Sequence, residues 1–429
     1  MKHSFVCACL LIMSFVPLSA LHASASSIWY VDGVNGNDTN DCKSLATACK
    51  TINHSIQLAS SGDSIRVAAA TYSENLVINI SLSIGGVGEN TTTIKGGESD
   101  TVVVAAGAQM ALSGLTISHS PPAGSGRGIF NSGVLTVTNS IISGNGLSET
   151  CEVCAEEDGG GIFNQGVLTL TRTTISNNFV SAGCTSAVCG KHVTSGGGIY
   201  NFGTLTMRGS TVSGNSSEDD NTHCSGCYAY GGGISNQGTL TLTTSTIIGN
   251  SASGNTNEGG GIYSVSIRRT RLTIVNSTIT QNTSTFGGGI ASDPATVSNS
   301  TIAGNDYGNV LGPVVLQNSI LEDSGFRDNC IGTEVSSNGF NISSDGTCNF
   351  AGPGDLNNTD PKVGTLGNHG GPTQTIPLMP RSPAIDAGNP AGCTDSTGHL
   401  LKTDQRGAPR PDREDSGGCD IGAYERQSD

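Results

Sequence analysis

Positive charge is scarce in this chain, where 20 Lys and Arg stand against 35 Asp and Glu for a formal charge of −15. That balance disfavours nucleic acid or an anionic membrane surface as partner, and suits cations or neutral glycans better. Beyond the first residues no apolar run approaches the ~20 positions that a membrane-spanning helix needs. Aromatic residues are few as well, at 4%. What fills the chain instead is glycine, 61 residues of it, together with Ser, Thr and Asn. Such a composition suits short strands and tight turns and disfavours helix.

The N-terminus reads as an export signal. Lys2 and His3 precede an apolar run from Phe5 to Val16, and Ala23-Ser24-Ala25 follows where a signal peptidase would cut. Residues 1–25 are therefore expected to be removed, and Cys7 and Cys9 do not sit where a lipid-modified cysteine would. An exported chain meets an oxidising compartment, and twelve cysteines remain in six close pairs: Cys42/Cys49, Cys151/Cys154, Cys184/Cys189, Cys224/Cys227, Cys330/Cys348 and Cys393/Cys419. Disulfides are the expected state. Zinc is the competing reading for Cys151/Cys154 and Cys224/Cys227, both C-x-x-C, the second with His223 adjacent.

One phrase recurs. GRGIFNSGVLTVTNSIISGN begins at Gly126, GGGIFNQGVLTLTRTTISNN at Gly159, GGGIYNFGTLTMRGSTVSGN at Gly196 and GGGISNQGTLTLTTSTIIGN at Gly231, with looser copies from Gly259 and Gly287. Within a copy Leu135 and Val137 alternate with Thr136 and Thr138, the period of a strand. Across copies, three apolar columns form: Ile129 to Ile290, Val137 to Val297 and Ile142 to Ile302. No single unit could bury them, so the units must stack about 4.8 Å apart into one solenoid. The same spacing reaches back to Met110, Leu112 and Ile117 and forward to Val314, Leu316 and Leu321. Asn145, Asn178, Asn215, Asn250, Asn282 and Asn305 end the units, and Asn131, Asn164, Asn201 and Asn236 make a second column. Both are read as corner ladders, since a short amide tolerates left-handed backbone and can hydrogen-bond its copies.

The expected fold is all-β, a right-handed parallel β-helix with a short N-terminal capping helix and an irregular C-terminal domain. Residues 26–85 form the cap and first coils, 86–309 the repeats and 310–426 the C-terminal domain. In the cap, Ile52, Ile56 and Ala59 lie at helical spacing before the strand Ile65-Arg66-Val67. This opening resembles the cap of β-helices in the pectin-lyase-like superfamily. Near the other end stand NSILEDSGFRDNC, SSNGFNISSDGTC, DPKVGTLGNHGGPTQTIPL, RSPAIDAGNP, DQRGAPR and CDIGAYE. This series resembles the choice-of-anchor Q domain that ends many bacterial surface β-helix proteins. The GGGI and terminal Asn motifs resemble the repeats of polymorphic outer membrane proteins. These resemblances imply an extracellular or cell-surface location, associated with the outer membrane.

Catalysis is not expected from the strand faces. Glycosidic hydrolysis needs two carboxylates at a set separation, and the four clean repeats contain no Asp or Glu. The inserts between a terminal Asn and the next glycine run are different. Gly146 to Asp158, Phe179 to Ser195, Ser216 to Tyr230 and Ser251 to Glu258 leave the same corner of successive coils and should form one ledge. Glu156, Glu157, Asp158, Asp219 and Asp220 cluster oxygens there, which makes Ca²⁺ the one cofactor to consider, against a plain solvated acidic surface. Lys191 and His192 are the candidate base of a Ca²⁺-assisted polysaccharide lyase. The six ledge cysteines admit fifteen pairings. Phe130, Phe163, Tyr200 and Tyr263 form a column of rings that either stacks on itself or faces sugars. Thr136, Thr169, Thr206, Thr241 and Thr273 form an outward rank that resembles the T-x-T face of β-helical ice-binding proteins. The leading expectation is a non-catalytic exported protein that binds glycan, matrix or cell-surface partners through stapled loops; the alternatives are the lyase and a structural surface component.

Overall fold

The computed structural model describes residues 26–119, 125–151, 157–184, 192–219, 227–265, 270–322, 328–332, 334–413 and 418–427. The export signal lies outside them. Three long parallel sheets wind around one interior. In the coil that starts at Ile129, the chain runs through Ile129–Asn131, Val134–Thr138 and Ile141–Ser143, one strand in each sheet. The sheets hold ten, twelve and eleven strands in that order. This is a parallel β-helix.

The register follows the sequence columns residue for residue. Ile129 pairs with Ile162, then Ile199, Ile234, Ile262 and Ile290. Val137, Leu170, Met207, Leu242, Ile274 and Val297 form the second column. Every member of both is at most 1% exposed. A one-residue slip would turn each column outward, so burial fixes the register. Met110, Leu112, Val314 and Leu316 extend the same interior, and a single apolar cluster runs from Trp29 to Phe350.

Polar ladders close two corners. Asn145 Nδ2 donates to Asn178 Oδ1 at 2.9 Å, and the pattern repeats through Asn215, Asn250, Asn282 and Asn305. Two further steps reach Asn309 and Asn329, at 2.8 Å each. The Asn131 ladder has 2.7 Å steps to Asn164, Asn201 and Asn236 and ends on Ser264 Oγ. The remaining corner carries buried hydroxyls at Ser140, Thr173, Ser210, Ser245, Ser277, Ser300 and Ser319. Each serine accepts from a backbone N–H of the coil before, as when Ser210 N–H donates to Ser245 Oγ at 3.2 Å, whereas Thr173 Oγ1 donates to the Val137 carbonyl at 3.2 Å. The amides and hydroxyls of these corner columns are tolerated in the interior because each makes at least one such bond.

The N-terminal end is covered as the sequence implies. Strand Ile28–Val31 pairs with Asp63–Val67, and helix Ile52–Leu58 lies over the opening with Ile52 fully buried. Thr51 caps the helix by accepting from His54 N–H, and the Glu74 carboxylate accepts from Ile52 and Asn53 N–H. The Cys42–Cys49 disulfide closes the loop before it.

At the other end the coils continue through Ile320–Glu322 and Ile342–Ser343 before the chain turns back along the outside. This returning tail docks on the corner between the twelve- and eleven-strand sheets. Gln405 accepts from Thr278 Oγ1 at 2.7 Å and donates to Thr246 Oγ1 and Thr373 Oγ1, both at 2.9 Å. Arg410, its side chain fully buried, donates to Glu425 Oε2 at 2.7 Å, Asn276 Oδ1 at 2.9 Å and the Gly422 carbonyl at 2.8 Å. The motifs DQRGAPR and CDIGAYE thus meet as one clamp on the solenoid. The Cys330–Cys348 and Cys393–Cys419 disulfides tie down the last coils and the tail. A second apolar cluster of Ile320, Ile342, Leu378, Ala384 and Ile421 seals the seam.

Candidate functional site

The inserts are not loops without a core, as their composition suggests, but strands. The outgoing segments Gly146–Cys151, Phe179–Cys184, Ser216–Asp219 and Ser251–Ser253 pair in parallel. The returning segments Glu157–Asp158, His192–Ser195, Cys227–Tyr230 and Thr256–Glu258 make a second sheet facing the first. Successive coils therefore raise a flange from one corner of the solenoid, tapering to single bridges at Thr283 and Phe286.

The glycine triplet makes the flange's neck possible. Gly196 has φ +69°, which a Cβ would strain. A Cβ on Gly197 would run into the carbonyl of Ser216, the first residue of the next outgoing strand. One on Gly198 would come within 2.6 Å of the Gly233 carbonyl and 3.0 Å of Asn215. Each glycine answers a different steric demand: the turn, the crossing of outgoing and returning strands, and the fit of the Asn ladder.

The flange interior is made of small and polar groups. Val180, Ala182, Ala229 and Ala252 are buried, and Ser217 Oγ donates to Thr194 Oγ1 at 2.9 Å. Several residues expected on an acidic surface face inward too. His192 is 1% exposed, Asp219 4% and Glu157 7%; Asp158 is half-buried. Period-two alternation across two facing sheets puts them there, a pairing that a single strand's sequence does not display. Lys191, Glu156, Asp220, Cys154, Cys189 and Cys224 lie outside the described residues, and of Cys151 and Cys184 only the backbone is described, as register partners ending the first two outgoing strands.

Among the described residues two groups bring potential ligands together, Cys42, Cys49 and His54, and His192, Asp219 and Cys227, each with its atoms within 4.8 Å of one another. Cys42, Cys49 and Cys227 are disulfide-bonded, so none offers a thiolate, and Cys227 is removed from any zinc set. His192 and Asp219 remain, two ligands where a structural zinc site takes four. Their burial also separates them from any polymer in solution, which a lyase base must touch.

The aromatic column does stack on itself. Phe130 lies 5.2 Å from Phe163, and Phe163 5.2 Å from Tyr200, with Arg127 over both phenylalanine rings. Where the flange meets the ten-strand sheet the rings continue, Tyr263 on Tyr230 at 4.3 Å and Tyr230 on Tyr228 at 5.9 Å. Ring faces are thus occupied by other rings, and edges and hydroxyls are what a partner would meet. Burial pushes the Tyr230 hydroxyl up to about 12, with Glu258 adding to it, and burial together with Asp293 raises Glu258. The Tyr230 phenol is therefore a neutral donor at any ordinary pH. The tyrosines at 228 and 230 were not singled out from sequence, because they belong to an insert outside the repeat. The outward threonine rank is in register, but its second row is broken by Arg208 and by the buried Val275 and Ser298.

No family model and no curated protein matches the chain. Among solved structures it is similar to pectate lyase Pel9A, at 14% identity and a TM-score of 0.46, over 94% of this chain and 97% of that one. It is also similar to pectin methylesterase PemA from Erwinia chrysanthemi, at 12% identity and a TM-score of 0.31, over 75% of this chain and 90% of that one. No helix among the described residues is long and apolar enough to cross a membrane.

Proposed function

We propose that the chain is an exported, non-catalytic β-helix protein of the cell surface or its surroundings, which contacts glycan, matrix or a neighbouring surface through the flange. The observation that carries this reading is where the flange directs its chemistry. Glu157, Asp219 and His192 are buried within it while Glu218 stays exposed, and the corner it shares with the ten-strand sheet gathers six of the chain's nineteen aromatic residues, the sum of 10 Phe, 8 Tyr and 1 Trp. Aromatic side chains, tyrosine above all, give contact area at low entropic cost and are enriched where proteins meet partners. The disulfide at Cys227 supports a rigid platform.

The C-terminal resemblance to the choice-of-anchor Q domain fits a surface location, and its last two motifs have a structural task here, clamping the tail. Binding is tested on a glycan and matrix-protein array with the intact chain and with a variant shortened between Gly146 and Asp158. Loss of signal on shortening is the expected result; equal binding by both forms removes the flange from the account. Polyuronate incubation should give no new ultraviolet absorbance from unsaturated sugars, and its appearance would restore the lyase alternative.

A further inference from the structure

The tail ends its return over the repeat at one defined place. Pro372 seats on Gly209, whose Cβ, if present, would stand 3.1 Å from the proline ring. On either side of this wedge lies a recess, one of about 530 Å³ and one of about 260 Å³, and both are lined by Arg172 and Arg406. Arg208 lines the smaller, Glu89 the larger. Together they fall within the ~300–1,000 Å³ typical of small-molecule sites.

The arginines depart from the repeat. The corner position of Arg172 is Asn139 one coil earlier and Gly209, Thr244, Asn276 and Asn299 in later coils, and the position of Arg208 is Thr138, Thr171 and Thr243 elsewhere. Arg172 holds φ +48°, a conformation that Asn or Gly adopts more cheaply. Stability alone would keep the repeat residues. Neither side chain makes an ion pair or hydrogen bond among the described residues, and both are exposed. Arg406 is fixed by Asp404 at 2.7 Å and by the Tyr424 ring at 3.5 Å, so it is held rigid and already neutralised. Two guanidinium groups with no ion pair among the described residues thus border the wedge in a chain of charge −15, Arg172 on both recesses and Arg208 on the smaller, with Glu89 the one carboxylate on the wall of the larger.

We propose that the cleft astride Pro372 binds an acidic saccharide, with Arg172 and Arg208 taking its carboxylate or sulfate. A guanidinium fork matches such groups in two parallel hydrogen bonds. Asn139 and Thr174 on the wall of the larger recess offer an amide and a hydroxyl to sugar hydroxyls. The site stands apart from the flange and does not depend on the role proposed for it.

The test is titration calorimetry of the full chain with a glucuronic acid trimer, a sulfated disaccharide and the carboxyl-reduced neutral trimer. Arg172→Asn and Arg208→Thr put the repeat's own residues back, so both variants should fold. Binding of at least one acidic probe, weakening with salt, with a tenfold or greater loss in the double variant and retention in the flange-shortened form, is the expected result. Which acidic probe binds identifies the anionic group. Binding of neither, equal binding of the neutral trimer, or an unchanged double variant overturns the proposal.

Discussion

Asn215→Ala offers the sharpest measure of what the buried polar ladder contributes. The Asn215 side chain donates to Asn250 Oδ1 at 2.9 Å and to the Ile175 carbonyl at 3.0 Å. It accepts from the Asn178 backbone N–H at 3.0 Å and from Asn178 Nδ2 at 2.9 Å. At 1% exposure no water replaces these partners. Four bonds at ~1 kcal/mol each, plus ~1–2 kcal/mol for the Asn178 N–H left buried and unsatisfied, predict a loss of about 5 kcal/mol. Asn215→Asp should cost a similar amount at neutral pH, because a carboxylate oxygen would face Asn250 Oδ1. Its folded-state pKa must then lie above the unfolded value of ~3.9, so its stability returns below that pH and is lost as pH rises through the folded value. Repeat arrays need not unfold as one unit, so native-state hydrogen exchange at the amides of residues 145–250 is the assay, with urea melts beside it. A loss under about 1 kcal/mol for Asn215→Ala, or an Asn215→Asp variant indifferent to pH, refutes the argument.

Gly197→Ala should destabilise the flange by about 3 kcal/mol, since its methyl meets backbone that cannot move aside, and exchange protection of Ser216–Asp219 should fall first. Arg410→Ala should cost about 3 kcal/mol in tail docking by removing three buried hydrogen bonds, to Glu425 Oε2, Asn276 Oδ1 and the Gly422 carbonyl, read as faster proteolysis beyond residue 400 while the coils before Ile320 keep their exchange protection. Burial holds the Glu425 carboxyl up at about 8 against an ordinary 4.5, with Arg410 opposing and Asp420 adding. Its contribution is therefore complete below about 4.5 and lost as pH rises through about 8, so the tail should resist proteolysis better at pH 5 than at pH 9, a difference that Glu425→Gln should abolish.

The coil was legible because its signal is redundant. Ile162, Ile199 and Ile234 mark one column in three copies, and a period of two leaves only one face for them. The asparagine ladder was legible for the same reason. The hydroxyl column from Ser140 to Ser319 repeats as regularly, yet serine and threonine are equally at home on a solvated turn, so repetition alone did not mark them as buried. The clamp was legible only as a resemblance. Gln405 reaches Ser245 across 160 residues of sequence, and nothing local to DQRGAPR states what lies opposite.

The flange exposes a more general limit on reading charge from sequence. Asp219 and His192 sit in short segments with no aliphatic period, so composition assigns them to solvent. Their neighbours in register are Ala182 and Cys227, and the facing sheet supplies the rest of the enclosure. Burial there arises from two polar strands covering each other, each coil adding one pair, so that no single insert carries the pattern. The opposite case is Arg172, where departure from a strong repeat is itself the signal. A position that sterics would give to Asn or Gly, and that holds an exposed arginine beside the Pro372 wedge against Gly209, is explained by what the side chain meets outside the fold.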